Sequence, residues 1–491
     1  MPAVSMNQKV AVAVVFVSAM FMNIMDITIV NVALPTIGRD FHIAPTAVDG
    51  IVIAYLVSLA VFIPASGWLG DRFGGKRVLI TAVVVFTVGS AMCGMAQNIT
   101  ELVVCRVIQG AGGGMLAPVG MAMLFRVFPP AERIRASSIL TVPTTLAPAL
   151  GPVLGGLLVT DLSWRWVFFV NVPLGIAAVT FGALCLEKST PLDAGRFDLP
   201  GFLLGGTGLG LLMYGISEGP LKGWSSTEVV GACLAGALLL TAMVFVELRV
   251  QRPMVDLRLL SGRLFRSANG VMFLVSAAFL GTLYLIPLYF QDARGLSALQ
   301  SGLSTFPEAF GVMFGAQLAS RIIYPRVGPR RHVTWGLVGL TITLLLLTQL
   351  TVTTNLWLIR AIMFTLGLMM AQIFVPTQAA SMAMISPANT GRASTFFNTM
   401  RQVGSAVGVA ILSTVLIGVG TTHVSGGGSQ PNMTAYRLAF ATAALFAIAA
   451  AGFSLTFHDS DAAETMVRRH PKAARSTSPQ PDVRESLPIT P

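Results

Sequence analysis

Residues 10–35 read VAVAVVFVSAMFMNIMDITIVNVALP, a run with one acid, Asp26, and no Lys or Arg between Lys9 and Arg39. Roughly 20 apolar residues in helical form cross the 30 Å or so of bilayer hydrocarbon, so this run is long enough to span it. A carboxylate at that depth costs about 2.5 to 3.5 kcal/mol on insertion scales, and such groups face a protein interior or an aqueous cavity and serve function there. Asp26 is therefore either a working group or a buried acid satisfied locally by Asn23, Thr28 or Asn31.

The rest of the chain repeats the pattern. Of its 491 residues, 54% are hydrophobic and 11% charged, whereas about a quarter of a soluble domain is charged. Apolar stretches of span length recur from end to end, which implies an all-α integral membrane protein; a closed barrel would show short alternating segments instead. The first stretch is too long for a signal-peptide core and a second span follows closely, so it is expected to stay on the protein. Cys93, Cys105, Cys185 and Cys233 lie in or at the ends of apolar segments without CxxC spacing, and read as small core residues.

Fourteen spans are expected, near 10–35, 47–69, 78–96, 102–125, 134–159, 167–186, 199–217, 229–246, 267–290, 299–320, 333–352, 356–376, 393–420 and 435–457. The net charge of +11 is a topology signal and gives no reason to expect nucleic acid: 24 of the 32 Lys and Arg residues fall on the termini and the connections of their side, and 5 on the opposite connections. The positive-inside rule then puts both termini in the cytoplasm. Arg135-Ala-Ser-Ser matches Arg392-Ala-Ser-Thr, Arg106 matches Arg360, and Leu69-Gly-Asp71-Arg72 matches Leu318-Ala-Ser320-Arg321 at nearly constant offsets. A duplication follows, with pseudo-symmetric six-helix bundles at 1–190 and 267–457, two inserted helices and a cytoplasmic linker at 191–266, and a disordered polar tail at 458–491.

Three strings carry mechanism. The connection after the second span reads Gly67-Trp-Leu-Gly-Asp71-Arg72-Phe-Gly74-Gly75-Lys76-Arg77: glycines allow close backbone approach, an acid can meet a helix N-terminus, and basic residues fix orientation. The fourth span holds Arg106-Val-Ile-Gln109-Gly110-Ala-Gly112-Gly113-Gly114, where an Arg in a span must find a carboxylate, a carbonyl or water, or else snorkel to the interface. In the fifth span, Ala147-Pro148-Ala-Leu-Gly151-Pro152-Val-Leu-Gly155-Gly156 puts small residues on a helix surface and a proline that removes one backbone donor.

Together these strings resemble those of the major facilitator superfamily. Gly75 stands where the family's first loop has Arg, and Ala147 where its fifth-span pattern begins with Gly; in the second half Ser320 replaces the loop Asp and Val409 the proline. With Met25-Asp26 through Pro35 and Trp164-Arg165-Trp166 through Asn171-Val-Pro173, the chain is similar to the fourteen-span drug:proton antiporter branch, the EmrB/QacA type, over residues 10–457. The resemblance implies a conformational latch at Gly67, Asp71, Arg72, Gly74, Lys76 and Arg77, an antiporter helix at Pro148, Gly151, Pro152, Gly155 and Gly156, and a plasma-membrane location.

The functional expectation is a proton-coupled efflux transporter that exports drugs or other small amphipathic or cationic compounds by alternating access. Asp26, tuned by Arg106, is the expected proton site, and Glu308, Gln109, Asn398 and Arg401 are the expected substrate or cavity residues. Glu308 could read a cationic substrate, join proton coupling or pair with Arg401. Proton and substrate would compete if they favour opposite charge states of one site. A dedicated exporter of one metabolite or antibiotic, or an uptake carrier, stays open within transport. A membrane-embedded enzyme or sensor is the remote alternative, because all five histidines lie in loops, span edges or the tail. The expected partners are a small-molecule substrate, protons and lipid, with a monomer as the working unit and no cofactor, metal ion or nucleic acid.

Overall fold

A computed structural model of the chain describes residues 7–42, 45–188, 191, 195–250, 253–425 and 428–466. The chain forms α1 (Gln8–Asp40), α2 (Pro45–Phe73), α3 (Gly75–Met95), α4 (Ile99–Val127), α5 (Arg133–Asp161), α6 (Trp166–Phe169) and α7 (Asn171–Cys185). The central pair is α8 (Leu199–Lys222) and α9 (Thr227–Arg249). Then come α10 (Arg263–Leu288), α11 (Ala298–Thr305), α12 (Pro307–Leu318), α13 (Tyr324–Val327), α14 (Pro329–Leu347), α15 (Leu356–Ser381), α16 (Thr390–Val419) and α17 (Met433–Ser454). Among the described residues, 11 helices are long and apolar enough to cross a membrane. The other three expected spans fall on α5, on α14, and on α11 with α12. The strands among the described residues are an antiparallel pair, β1 (Thr422–Ser425) with β2 (Gly428–Pro431).

Span ten, expected as one continuous helix, breaks at Phe306. Pro307 lacks a backbone N–H and is accommodated at the first turn of α12. Glu308 therefore lies in the first turn of a helix, not in the middle of one.

Helices α1 to α7 pack mainly among themselves, and so do α10 to α17, with the same order of neighbours. α1 meets α5, α2 meets α4 and α3 meets α4 and α7; correspondingly α10 meets α16, α12 meets α15 and α14 meets α15 and α17. α8 packs against α2 and α16, and α9 leans on α8. Most of the α9 surface faces outward, with Leu234, Leu238 and Phe245 at least 60% exposed, as suits a lipid-facing helix.

The described ends of the chain share one face. Lys9 pairs with Glu132 at 2.6 Å, and the 3-10 helix Asp459–Thr465 docks beside the turn that opens α14. Asp459 Oδ1 accepts from the Arg330 amide at 2.9 Å and the Tyr324 hydroxyl meets Thr465 Oγ1 at 2.6 Å. The first residues of the expected disordered tail are thus ordered, because an acid caps α14 and Ala462 is fully buried. The tail from 467 onward lies outside the described residues.

Candidate functional site

Asp26 is fully buried inside the first bundle, and its partners come from two other helices. Arg106 Nη1, on α4, donates to Oδ2 at 2.5 Å. Oδ1 accepts from Gln109 Nε2 at 2.8 Å and from Asn171 Nδ2, at the start of α7, at 3.1 Å. The same Arg106 nitrogen also donates to Gln109 Oε1 at 2.7 Å, and Arg106 Nε donates to the Ile51 carbonyl at 3.3 Å. The guanidinium lies 4.1 Å from the Tyr55 ring centroid, a cation–π stack that replaces some lost hydration. Asp26 is thus answered across the bundle and not by Asn23, Thr28 or Asn31: Thr28 bonds the Met25 carbonyl, and Asn31 is exposed. Arg106 does not snorkel. Arg360, which matches it by sequence offset, is one turn closer to the start of its helix and stacks on the exposed Trp357 at 4.7 Å.

A cavity of about 480 Å³ lies between the two bundles. Its wall is largely apolar, with Ile24, Ile27, Leu59, Phe279, Leu283 and Phe374 prominent, and the inserted α8 contributes Met213, Ile216 and Ser217. Asn398 and Arg401 line it. The other two candidates for it, Gln109 and Glu308, do not, and neither do Asp26 and Arg106. Gln109, three residues after Arg106, shares its helix face and joins the buried cluster. Glu308 is 2% exposed, its Oε1 has no hydrogen-bond partner, and no ion pair joins it to Arg401 among the described residues. Its place in the first turn of α12 gives a partial account, since a helix N-terminus favours negative charge. Val312, one turn on, does reach the cavity.

A chain of contacts connects cavity and cluster. Asn23 lines the cavity, the Tyr55 hydroxyl donates to Asn23 Oδ1, and the Tyr55 ring carries Arg106. Tyr55, Asn23, Asn171 and Ser90, which accepts from Asn171 at 3.1 Å, were not among the expected site residues. Asn171 had a signal, a polar residue in an otherwise apolar string; the tyrosine had none.

On the face that carries the chain ends, bonds cross between the bundles. Asp71 accepts from Arg126 Nη2 at 2.6 Å and abuts the first turn of α16, where a Cβ on Gly391 would lie 3.0 Å from its Oδ1. Ser66 meets Thr395 at 3.2 Å, and Arg133 donates to the Met382 carbonyl and, at 2.9 Å, to that of Ala383. Gly67 has a specific reason to be glycine: a Cβ there would sit 2.7 Å from Thr395 Oγ1. Gly74, at φ 85°, makes the turn between α2 and α3. Lys76 caps the end of α7 through the carbonyls of Ala183, at 2.8 Å, and Leu186. Arg72 and Arg77 are exposed.

Helix α5 closes on α1 just past Asp26. A Cβ on Gly151 would clash with Thr28, and one on Gly155 would lie 3.1 Å from Ile29. The second bundle uses the same device, with Gly404 and Gly408 of α16 against Phe273 and Ala277 of α10. Pro148 lines the cavity, Pro152 lies within α5, and Gly156 faces open space, so it plays no part in the contact. Gly151→Val should accordingly cost about 1 to 3 kcal/mol through overpacking, while Gly156→Ala is neutral. Thermal unfolding of the two variants in one detergent checks this.

The chain matches the family described as Major Facilitator Superfamily over residues 16–409. It is 33% identical to "Multidrug resistance protein B homolog" of Mycobacterium tuberculosis over 82% of this chain and 75% of that protein. It is 29% identical to "Putative multidrug resistance protein MdtD" of Escherichia coli O81 over 82% and 86% of the two chains. The crystal structure of the human organic anion transporter MFSD10 (TETRAN) superposes with a TM-score of 0.65 over 91% of this chain and 99% of that one, at 14% identity, a likeness of fold alone. With two similarly packed helical bundles, a cavity between them and these relatives, the chain belongs to the major facilitator superfamily.

Proposed function

We propose that this protein is a proton-coupled efflux transporter of drugs or other small amphipathic compounds, working by alternating access. The observation that carries the reading is the juxtaposition of a largely apolar cavity between the bundles with a fully buried carboxylate–guanidinium pair one residue chain away. The names of the relatives support drugs as substrates. The charge distribution supports fourteen spans with both termini in the cytoplasm, two bundles at 1–190 and 267–457 and an inserted pair between them, in the plasma membrane.

Asp26 is the proton site in this reading and Arg106 its switch partner. Exclusion of water favours a neutral carboxyl and a neighbouring guanidinium favours the charged one. A change in either, as the bundles rock, loads or unloads a proton. Because Asp26 is off the cavity wall, substrate and proton do not compete for one site. Substrate acts on Asn23, the Asn23–Tyr55 bond moves the ring that carries Arg106, and the guanidinium alters its hold on Asp26. Glu308, also off the wall, is a second group for protons and not a contact for substrate. Asp71, with the bonds beside it, latches the bundles while the cytoplasmic face is closed.

The test is efflux from proteoliposomes under an imposed pH gradient, with Na+ varied and dyes and antibiotics of different charge inside. Transport that follows the pH gradient and ignores Na+ is expected. Transport that follows Na+ and ignores the pH gradient would remove the proton from the mechanism.

A further inference from the structure

Arg401 stands on the cavity wall in the middle of α16, with one side-chain hydrogen bond, from Nη2 to Asn398 Oδ1 at 3.3 Å. Among the described residues it has no acidic partner, and it is the sole charged side chain lining the cavity. The intramembrane acids that could compensate it are elsewhere: Asp26 is held by Arg106, Gln109 and Asn171, and Glu308 is buried off the wall. An uncompensated cation at membrane depth is costly, and a guanidinium presents a planar fork of donors that matches carboxylate, sulfonate or phosphate oxygens.

We propose that the cavity takes amphipathic anions, with the anionic group on Arg401 and the neighbouring amides of Asn398 and Gln402, and the apolar body against Ile24, Leu283 and Phe374. The cation preference expected from Glu308 falls away because that carboxylate does not reach the cavity. This inference rests on the export reading and specifies its substrate class. The anionic group is neutralised by Arg401 on the cavity wall, away from the Asp26 cluster, so coupling between the two sites runs through Asn23 and Tyr55.

Calorimetric binding to the purified full chain in nanodiscs, with biphenylcarboxylate, biphenylcarboxamide and biphenylmethylammonium as probes, tests it. The carboxylate should bind about tenfold tighter than the amide, the worth of a charge-assisted hydrogen bond in a sheltered site, and the ammonium weakest. Arg401→Gln should bring the carboxylate down to the level of the amide, and an unchanged thermal unfolding midpoint of the variant in the same nanodiscs reports that it is folded. Arg401→Lys should keep part of the preference. Ammonium binding as tight as carboxylate, or a carboxylate preference that survives Arg401→Gln, overturns the proposal. If proteoliposomes export the amide and the ammonium but not the carboxylate, the anion assignment alone falls. Export of none of the three, with none bound, defeats the export reading itself.

Discussion

Asp26→Asn protein, reconstituted with a pH gradient, is expected to lose gradient-driven efflux, by at least about a hundredfold if the proton step alone carries coupling, while still binding substrate, more weakly by no more than the coupling between the two sites. The asparagine mimics the protonated acid, and its Oδ1 can still accept from Arg106. The guanidinium keeps the Ile51 carbonyl, Gln109 Oε1 and the Tyr55 ring, so the cluster has partners enough to stay folded. Binding is retained because Asp26 does not line the cavity. A variant that loses binding together with efflux would instead put Asp26 in contact with substrate. Substrate binding by fluorescence alongside efflux from the same preparation separates the two outcomes.

The second large effect is on stability. Arg106→Met leaves the Asp26 carboxylate fully buried without its cation, a change that costs about 3 to 5 kcal/mol for a buried pair. Methionine fills much of the volume, so the loss comes from charge and not from a cavity. Asp26→Asn/Arg106→Met removes both charges and should recover a substantial part of that loss, since residues in one network do not behave additively. Unfolding in mixed micelles for wild type, both single variants and the double variant gives the coupling. Additive losses would mean that the two side chains do not act as a pair.

The pairing of Asp26 with Arg106 was legible in the sequence because charges in apolar spans are few and each needs a partner. The tight turn after α2 was legible too, through Gly67, Asp71 and Gly74 at fixed spacing. Less visible were the faces of the helices. Gln109 was expected in the cavity, although its spacing of three from Arg106 already put it on the same side of α4. Glu308 was expected at the middle of a span, although Pro307 before it marks a helix start. Arg106 and Arg360 match by sequence offset, but Arg360 lies nearer the end of its apolar stretch, and they occupy the eighth and fifth positions of α4 and α15, enough to move one from the bundle core to the end of its helix. The share of the cavity wall supplied by α8 could not be read at all, because apolar residues that face a ligand and those that face lipid have the same composition.

The separation of a proton site from a substrate cavity, joined by Asn23 and Tyr55, is the central claim, and proton release on substrate binding tests it most directly. Purified transporter in weakly buffered solution is mixed with a saturating substrate while a pH-indicating dye is read. Wild type should release protons when substrate binds, Asp26→Asn should bind substrate and release none, and Tyr55→Phe, which lacks the hydroxyl that meets Asn23, should bind and release fewer. Equal release from wild type and Asp26→Asn would contradict the account.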